Sequence, residues 1–217
     1  MAERIFVLSS VTALLFLFLP VSSTLGQVEV RPGVKAGANL SSFAGDDADT
    51  PSTVSSKVRT GVIAGAFLLI DVAGPLAIQP ELLYVQKGEQ AEGRTPTGFK
   101  GLVTSKVDYV ELPVLLKVQV PITGPIVPII FGGPSVALNV NASQTVTGAG
   151  SIVSQDFDDG VEPIEFGVHL GGGIDISTGV GILTFDIRYQ RGITNIISEN
   201  PGEIKNRGVG ITGGLAF

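Results

Sequence analysis

Between residue 33 and residue 217 the chain repeats one device eight times: bulky apolar side chains alternate with polar or small ones, over 33–43, 59–71, 76–88, 105–120, 126–141, 163–177, 181–195 and 206–217. A side-chain period of two belongs to a strand and not to a helix. Each segment is also long enough to cross a bilayer as a tilted strand, which takes roughly 9–11 residues. In the fourth segment Val110, Leu112, Val114, Leu116, Val118 and Val120 share one face, and Tyr109, Glu111, Pro113, Leu115, Lys117 and Gln119 share the other. In the seventh, Leu183, Phe185, Ile187 and Tyr189 oppose Thr184, Asp186, Arg188 and Gln190. Such a chain has to fold into a sheet with one greasy face and one charged face.

The stretches between the segments alternate in length. Ala44–Val58, Glu89–Thr104 and Ala142–Glu162 are long, Val72–Pro75, Pro121–Pro125 and Ser177–Gly181 are short, and Ile196–Lys205 is intermediate. Four loops at one end and three tight turns at the other are what an even-numbered up-and-down barrel produces. The last segment sharpens the inference. Val209, Ile211, Leu215 and Phe217 line its bulky face, and Phe217 carries the terminal carboxylate. A strand with an apolar outer face pairs with other chains unless the sheet closes on itself, and closure in lipid solves that problem for bacterial outer membranes. The expected fold is therefore all-β, an eight-stranded antiparallel up-and-down transmembrane β-barrel in the bacterial cell outer membrane. Phe217 is the expected C-terminal assembly signal, read by the barrel assembly machinery through the last strand.

The N-terminal region agrees on the compartment. One basic residue, Arg4, precedes an apolar run from Ile5 to Leu19, followed by Pro20 and a small and polar stretch to Gln27. The run is short for a spanning helix, which needs roughly 20 residues, and reads as a secretory signal peptide, with a retained N-terminal anchor as the alternative. The expected division is residues 1–26 as signal and 27–217 as barrel, with a cut after Ser23 as the alternative. The mean hydropathy of +0.41 matches a chain that shows apolar surface to lipid. The chain has no cysteine, so disulfides and thiol chemistry are excluded. A net charge of −6, from 14 basic and 20 acidic residues, argues against nucleic acid as a partner.

If the apolar faces point outward, ten ionisable residues point inward: Lys35, Glu81, Lys87, Glu111, Lys117, Glu165, His169, Asp175, Asp186 and Arg188. An eight-stranded barrel is just wide enough for side chains to fill it. Charges packed there have to pair, because an unpaired buried ion costs several kcal/mol. Four bases and five acids, with His169 able to adjust, suit a polar plug that holds the barrel in shape. A gated path for ions or protons is the sharper alternative. Inward glycines at 37, 61, 65, 133, 167, 171 and 173 leave room for long side chains and relieve strand curvature.

Catalytic chemistry finds little support. The single histidine, His169, lies inside the sixth segment with no serine assigned beside it. Gly208–Gly213 matches the G-x-G-x-x-G spacing but sits in a strand pattern near the chain end, where no helix can follow. The acidic groups Asp46, Asp47 and Asp49, and Asp156, Asp158, Asp159 and Glu162, lack the alternate spacing of a calcium loop and read as solvated loops. No enzyme activity, cofactor or metal is expected.

Six segments in series also carry a resemblance. They are Gly33–Leu40, Gln79–Gly88, Asp108–Lys117, Gly132–Pro134, Gly167–Asp175 and Ile187–Gly192. In this order they resemble the PorT-like outer-membrane β-barrel family, over nearly all of the chain after its N-terminal region. The resemblance implies an eight-stranded outer-membrane barrel without an assigned reaction, some of whose members are linked to protein secretion. With no Trp and three Tyr, this chain departs from the family by having thin aromatic girdles.

Three function classes follow. The first is a structural or interaction barrel that touches outer-membrane lipid and meets an unidentified protein partner at its loops. The second is a narrow ion or solute channel. The third is a soluble exported barrel that binds an apolar ligand, and it requires the opposite side-chain orientation.

Overall fold

The computed structural model describes residues 29–44, 54–94, 100–148, 151–156, 162–196 and 204–217. The expected signal segment and the acidic residues Asp46, Asp47, Asp49, Asp158 and Asp159 lie outside the described residues. The strands are β1 (Val30–Ala44), β2 (Val54–Ala73), β3 (Leu76–Arg94), β4 (Lys100–Gln119), β5 (Ile126–Gly148), β6 (Ser151–Asp156), β7 (Ile164–Thr178), β8 (Gly181–Gly192) and β9 (Lys205–Ala216). All pairings are antiparallel. The sheet order is β4-β3-β2-β1-β9-β8-β7-β5, and a further β4–β5 pairing closes the ring.

Nine strands make eight positions. The edge of β5 is shared, with Ile126–Leu138 pairing β7 and Ser143–Gly148 pairing the short β6. The barrel is sealed at the chain ends by β1 against β9, in a register running from Gly33↔Ala216 to Ala44↔Lys205. No lipid-facing edge is left unpaired along that seam, as a hydrocarbon environment demands. The tight β2–β3 connection turns at Gly74, whose φ of 54° is costly for any residue with a side chain.

The strands run further than the alternation suggested on the long-loop side. β2 begins at Val54, β3 continues to Arg94, β4 begins at Lys100, and the stretch read as a loop from Ala142 contains the β5–β6 hairpin. Above the membrane the selection for one apolar face lapses, while the backbone ladder continues past irregularities between Val58 and Ile63 and at Asp108–Tyr109. These extensions therefore carry no alternation to betray them. At β8 the correction is the reverse. The strand ends at Gly192, where a Cβ would lie 2.5 Å from the Glu165 carboxylate.

Which face points where is settled by burial. Val114, Leu116 and Phe185 are 49, 52 and 50 % exposed, whereas Lys117 and Arg188 are 2 and 0 % exposed. The soluble, apolar-lined alternative needs the reverse and is overturned. A continuous apolar belt of this extent would drive a water-soluble monomer to associate, but in lipid it costs nothing.

Candidate functional site

The barrel interior places all ten inward ionisable residues among its buried side chains. They form three tiers, counted from the end with the short turns. In the lowest, Lys117 of β4 meets Asp175 of β7 at 2.7 Å, Thr184 donates to the same carboxylate, and Gln79 donates to Glu81 at 2.7 Å. Lys117 also donates to the Gln79 side-chain oxygen at 3.4 Å, which joins this tier to the next.

The middle tier holds two cations and two anions. Lys35 of β1 donates to Glu81 of β3 at 2.7 Å and to Asp186 of β8 at 3.1 Å. Arg188 of β8 grips Glu81 with two nitrogens, at 2.6 and 3.2 Å, and Asp186 with two contacts, at 3.0 and 3.3 Å. Around the ring β3 and β8 stand four positions apart out of eight. The Glu81–Arg188 pair thus spans the lumen along a diameter. A bidentate guanidinium–carboxylate contact is the strongest arrangement such a pair can adopt. Aromatic faces complete the cage, with Phe131 at 5.3 Å from the Arg188 guanidinium and Phe67 at 5.1 Å from the Lys35 ammonium.

The upper tier is richer in acid. Lys87 lies 3.5 Å from both Glu111 and Glu165 and 4.9 Å from the centre of the Tyr109 ring. Asn206 of β9 donates to Glu165 at 2.8 Å and to the Tyr109 hydroxyl at 3.2 Å. Since β4 and β9 are also four positions apart, the Tyr109–Asn206 contact is a second diameter. Between this diameter and the middle tier Gln190 donates to Asn39 at 3.2 Å, and Arg59 donates to the Lys87 carbonyl at 2.5 Å. A cavity of roughly 10 Å³ beside Asn39, Lys87, Gln190 and Asn206 is room for about one water.

Two kinds of glycine make this filling possible. At Gly171 an added Cβ would fall 2.5 Å from the Phe131 ring, so the glycine admits the aromatic partner of Arg188. At Gly65 it would fall 2.0 Å from the Leu82 carbonyl, so this glycine permits close approach of neighbouring backbone where the sheet curls.

The fold brings a serine beside His169, although none adjoins it in the sixth segment. Its Nε2 lies 2.9 Å from Glu111 and 3.2 Å from the Ser135 hydroxyl, which itself donates to Glu111 at 2.8 Å. Ser135 shares the inward parity of Gly133 on β5, so the register could have found it. The three do not form a nucleophilic triad. In a triad the acid and the serine hold opposite ring nitrogens. Here both contact Nε2, and Nδ1 is buried without a hydrogen-bond partner. Gln190 is buried on the inner face, as its alternation with Tyr189 implies, and so are Arg59, Asn39, Gln79 and Asn206, which the inward set did not include. The glycine-spaced segment Gly208–Gly213 lies within β9.

Residues 26–198 match the family model described as outer membrane protein beta-barrel domain. No curated protein matches the chain. Solved structures similar to it include Neisserial surface protein A, at 14 % identity over 86 % of this chain and 97 % of that one, with a TM-score of 0.45. OprG from Pseudomonas aeruginosa is similar at 12 % identity over 88 and 98 % of the two chains, TM-score 0.45. The attachment invasion locus protein Ail of Yersinia pestis is similar at 10 % identity over 87 and 99 %, TM-score 0.40.

Proposed function

The chain belongs to the family of the outer membrane protein beta-barrel domain, and from that membership we infer that it serves as a sealed structural or interaction barrel, without catalysis, whose long loops meet partners outside the cell. The observation that carries this reading is the Glu81–Arg188 pair, which crosses the lumen along a diameter at 2.6 Å with both groups fully buried. A hydrated ion entering this barrel would have to break that pair and the Tyr109–Asn206 contact above it. Opening the charge pair alone costs several kcal/mol, because each group would be left buried without its partner.

The narrower kinship with PorT-like barrels is part of the same proposal and rests on the six segments in series. Two further roles belong with it. Residues 1–26 act as a removable signal, which fits a family match that begins at residue 26. Phe217, exposed on the outward face at the end of β9 with its amide bonded to the Pro32 carbonyl at 2.9 Å, is the residue by which the assembly machinery receives the last strand.

Planar-bilayer recording of the folded protein tests the sealed interior. Silent membranes are expected at moderate voltage, and stable single-channel steps would replace the structural reading with the channel. Crosslinking from the long-loop ends of the strands in intact cells addresses the interaction role, which calls for a discrete protein adduct.

A further inference from the structure

The outward face of the barrel carries one feature that the sealed interior does not explain. Arg191 of β8 and Arg207 of β9 are direct cross-strand partners, both pointing outward and both exposed. Directly opposed side chains have Cβ atoms about 4.5–5.5 Å apart, so two guanidiniums held there repel unless an anion lies between them. Among the described residues no carboxylate pairs with either. Arg207 donates to the Ser42 hydroxyl at 3.0 Å, and the outward partner of Arg191 on β7 is Val168.

Their height is informative. Directly below the pair come the outward pairs Tyr189↔Val209, Ile187↔Ile211 and Phe185↔Gly213, and β9 then continues to Phe217. Ten residues separate Arg207 from Phe217. At about 3.3 Å per residue and a tilt of about 40° they rise about 25 Å, the height of the apolar band of an outer-membrane barrel. With the short turns on the periplasmic side, the arginine pair stands where the acyl chains of the outer leaflet end and their headgroups begin.

We propose that Arg191 and Arg207 together form a binding site for the phosphate of a phosphorylated outer-leaflet lipid, whose acyl chains lie along the Tyr189, Val209, Ile187 and Ile211 surface below. Two planar forks can share the oxygens of one phosphate, which converts a repulsive pair into a clamp. The site depends on the outward register and not on the sealing of the lumen, so it can fail while the sealed-barrel reading stands.

Binding of lipid A with its phosphates, and of dephosphorylated lipid A, is measured on the folded full chain in detergent by native mass spectrometry and by titration. The phosphorylated form is expected to bind at least about tenfold more tightly. Arg191→Gln and Arg207→Gln should each remove most of that preference, Arg207→Lys should keep part of it, and Lys106→Gln, an outward basic residue on β4, should change nothing. Unaltered heat-modifiable migration verifies that the variants are folded. Inorganic phosphate alone should compete only weakly. Equal binding of both lipids, an unchanged Arg191→Gln/Arg207→Gln double variant, an equal loss with Lys106→Gln, or free phosphate binding as tightly as the lipid would each overturn the proposal.

Discussion

Replacing Arg188 by methionine probes the middle tier most severely. The substitution keeps much of the side-chain length and removes the cation, leaving Glu81 and Asp186 to share the single ammonium of Lys35. Arg188 supplies four contacts to these two carboxylates, at 2.6–3.3 Å. Removing one partner of a buried ion pair typically costs about 3–5 kcal/mol, since the remaining charge stays desolvated. Urea unfolding of the protein in lipid vesicles, followed by gel mobility of unboiled samples, reads the loss directly. The second variant decides the reasoning. In Arg188→Met/Glu81→Gln the tier holds one cation, Lys35, and one anion, Asp186, and the new amide can still accept from Lys35. The double variant should therefore recover about 1–3 kcal/mol of the single variant's loss. If Glu81→Gln instead destabilises the Arg188→Met protein further, or if Arg188→Met costs less than about 1 kcal/mol, charge balance is not what organises this interior.

Other outcomes follow from the same geometry. Val114 lies midway along the outward run Val110–Val118, and Val114→Arg should cost about 2–4 kcal/mol and reduce assembly, as seen in the fraction reaching the membrane. Gly171→Leu would drive its Cβ into both the Phe131 ring and the Ile187 carbonyl, each 2.5 Å away, so the folded fraction should fall sharply. Tyr109→Phe removes one acceptor from Asn206 while Glu165 remains, and about 1 kcal/mol is expected in urea unfolding. Phe217→Ala should slow membrane assembly in cells more than it lowers the stability of the refolded barrel, and an equal effect on both would argue against a recognition role.

The eight strand positions and their two faces were legible because lipid imposes a binary choice at every residue. Val110 to Val118 on β4 can point only outward, and the parity then turns Glu111 and Lys117 inward. What parity cannot give is height. Lys35 meets Glu81 and Asp186, 46 and 151 residues away, because the stagger between β1, β3 and β8 brings them level. That stagger is set by pairings with the intervening strands, such as Phe67 with both Gly33 and Glu81 and Thr212 with both Gly37 and Asp186, which no single strand announces. Ser135 and Arg59 were missed for a simpler reason. One follows a proline and the other begins its segment, so neither stood out as part of an alternating run, although the same parity includes both. The β5–β6 hairpin stayed hidden because a solvated strand needs no apolar face.

The apolar face of every strand meets acyl chains while the charged face is shut away. The chain has no cysteine, so single cysteines can be introduced along β4 from residue 112 to residue 117 and spin-labelled in lipid vesicles. Collision rates with lipid-soluble oxygen and with a water-soluble nickel chelate then report each position's surroundings. High oxygen and low nickel collision is expected at 112, 114 and 116, and low collision with both at 113, 115 and 117. High nickel collision at 114 and 116, or free nickel access at 117, would contradict that orientation.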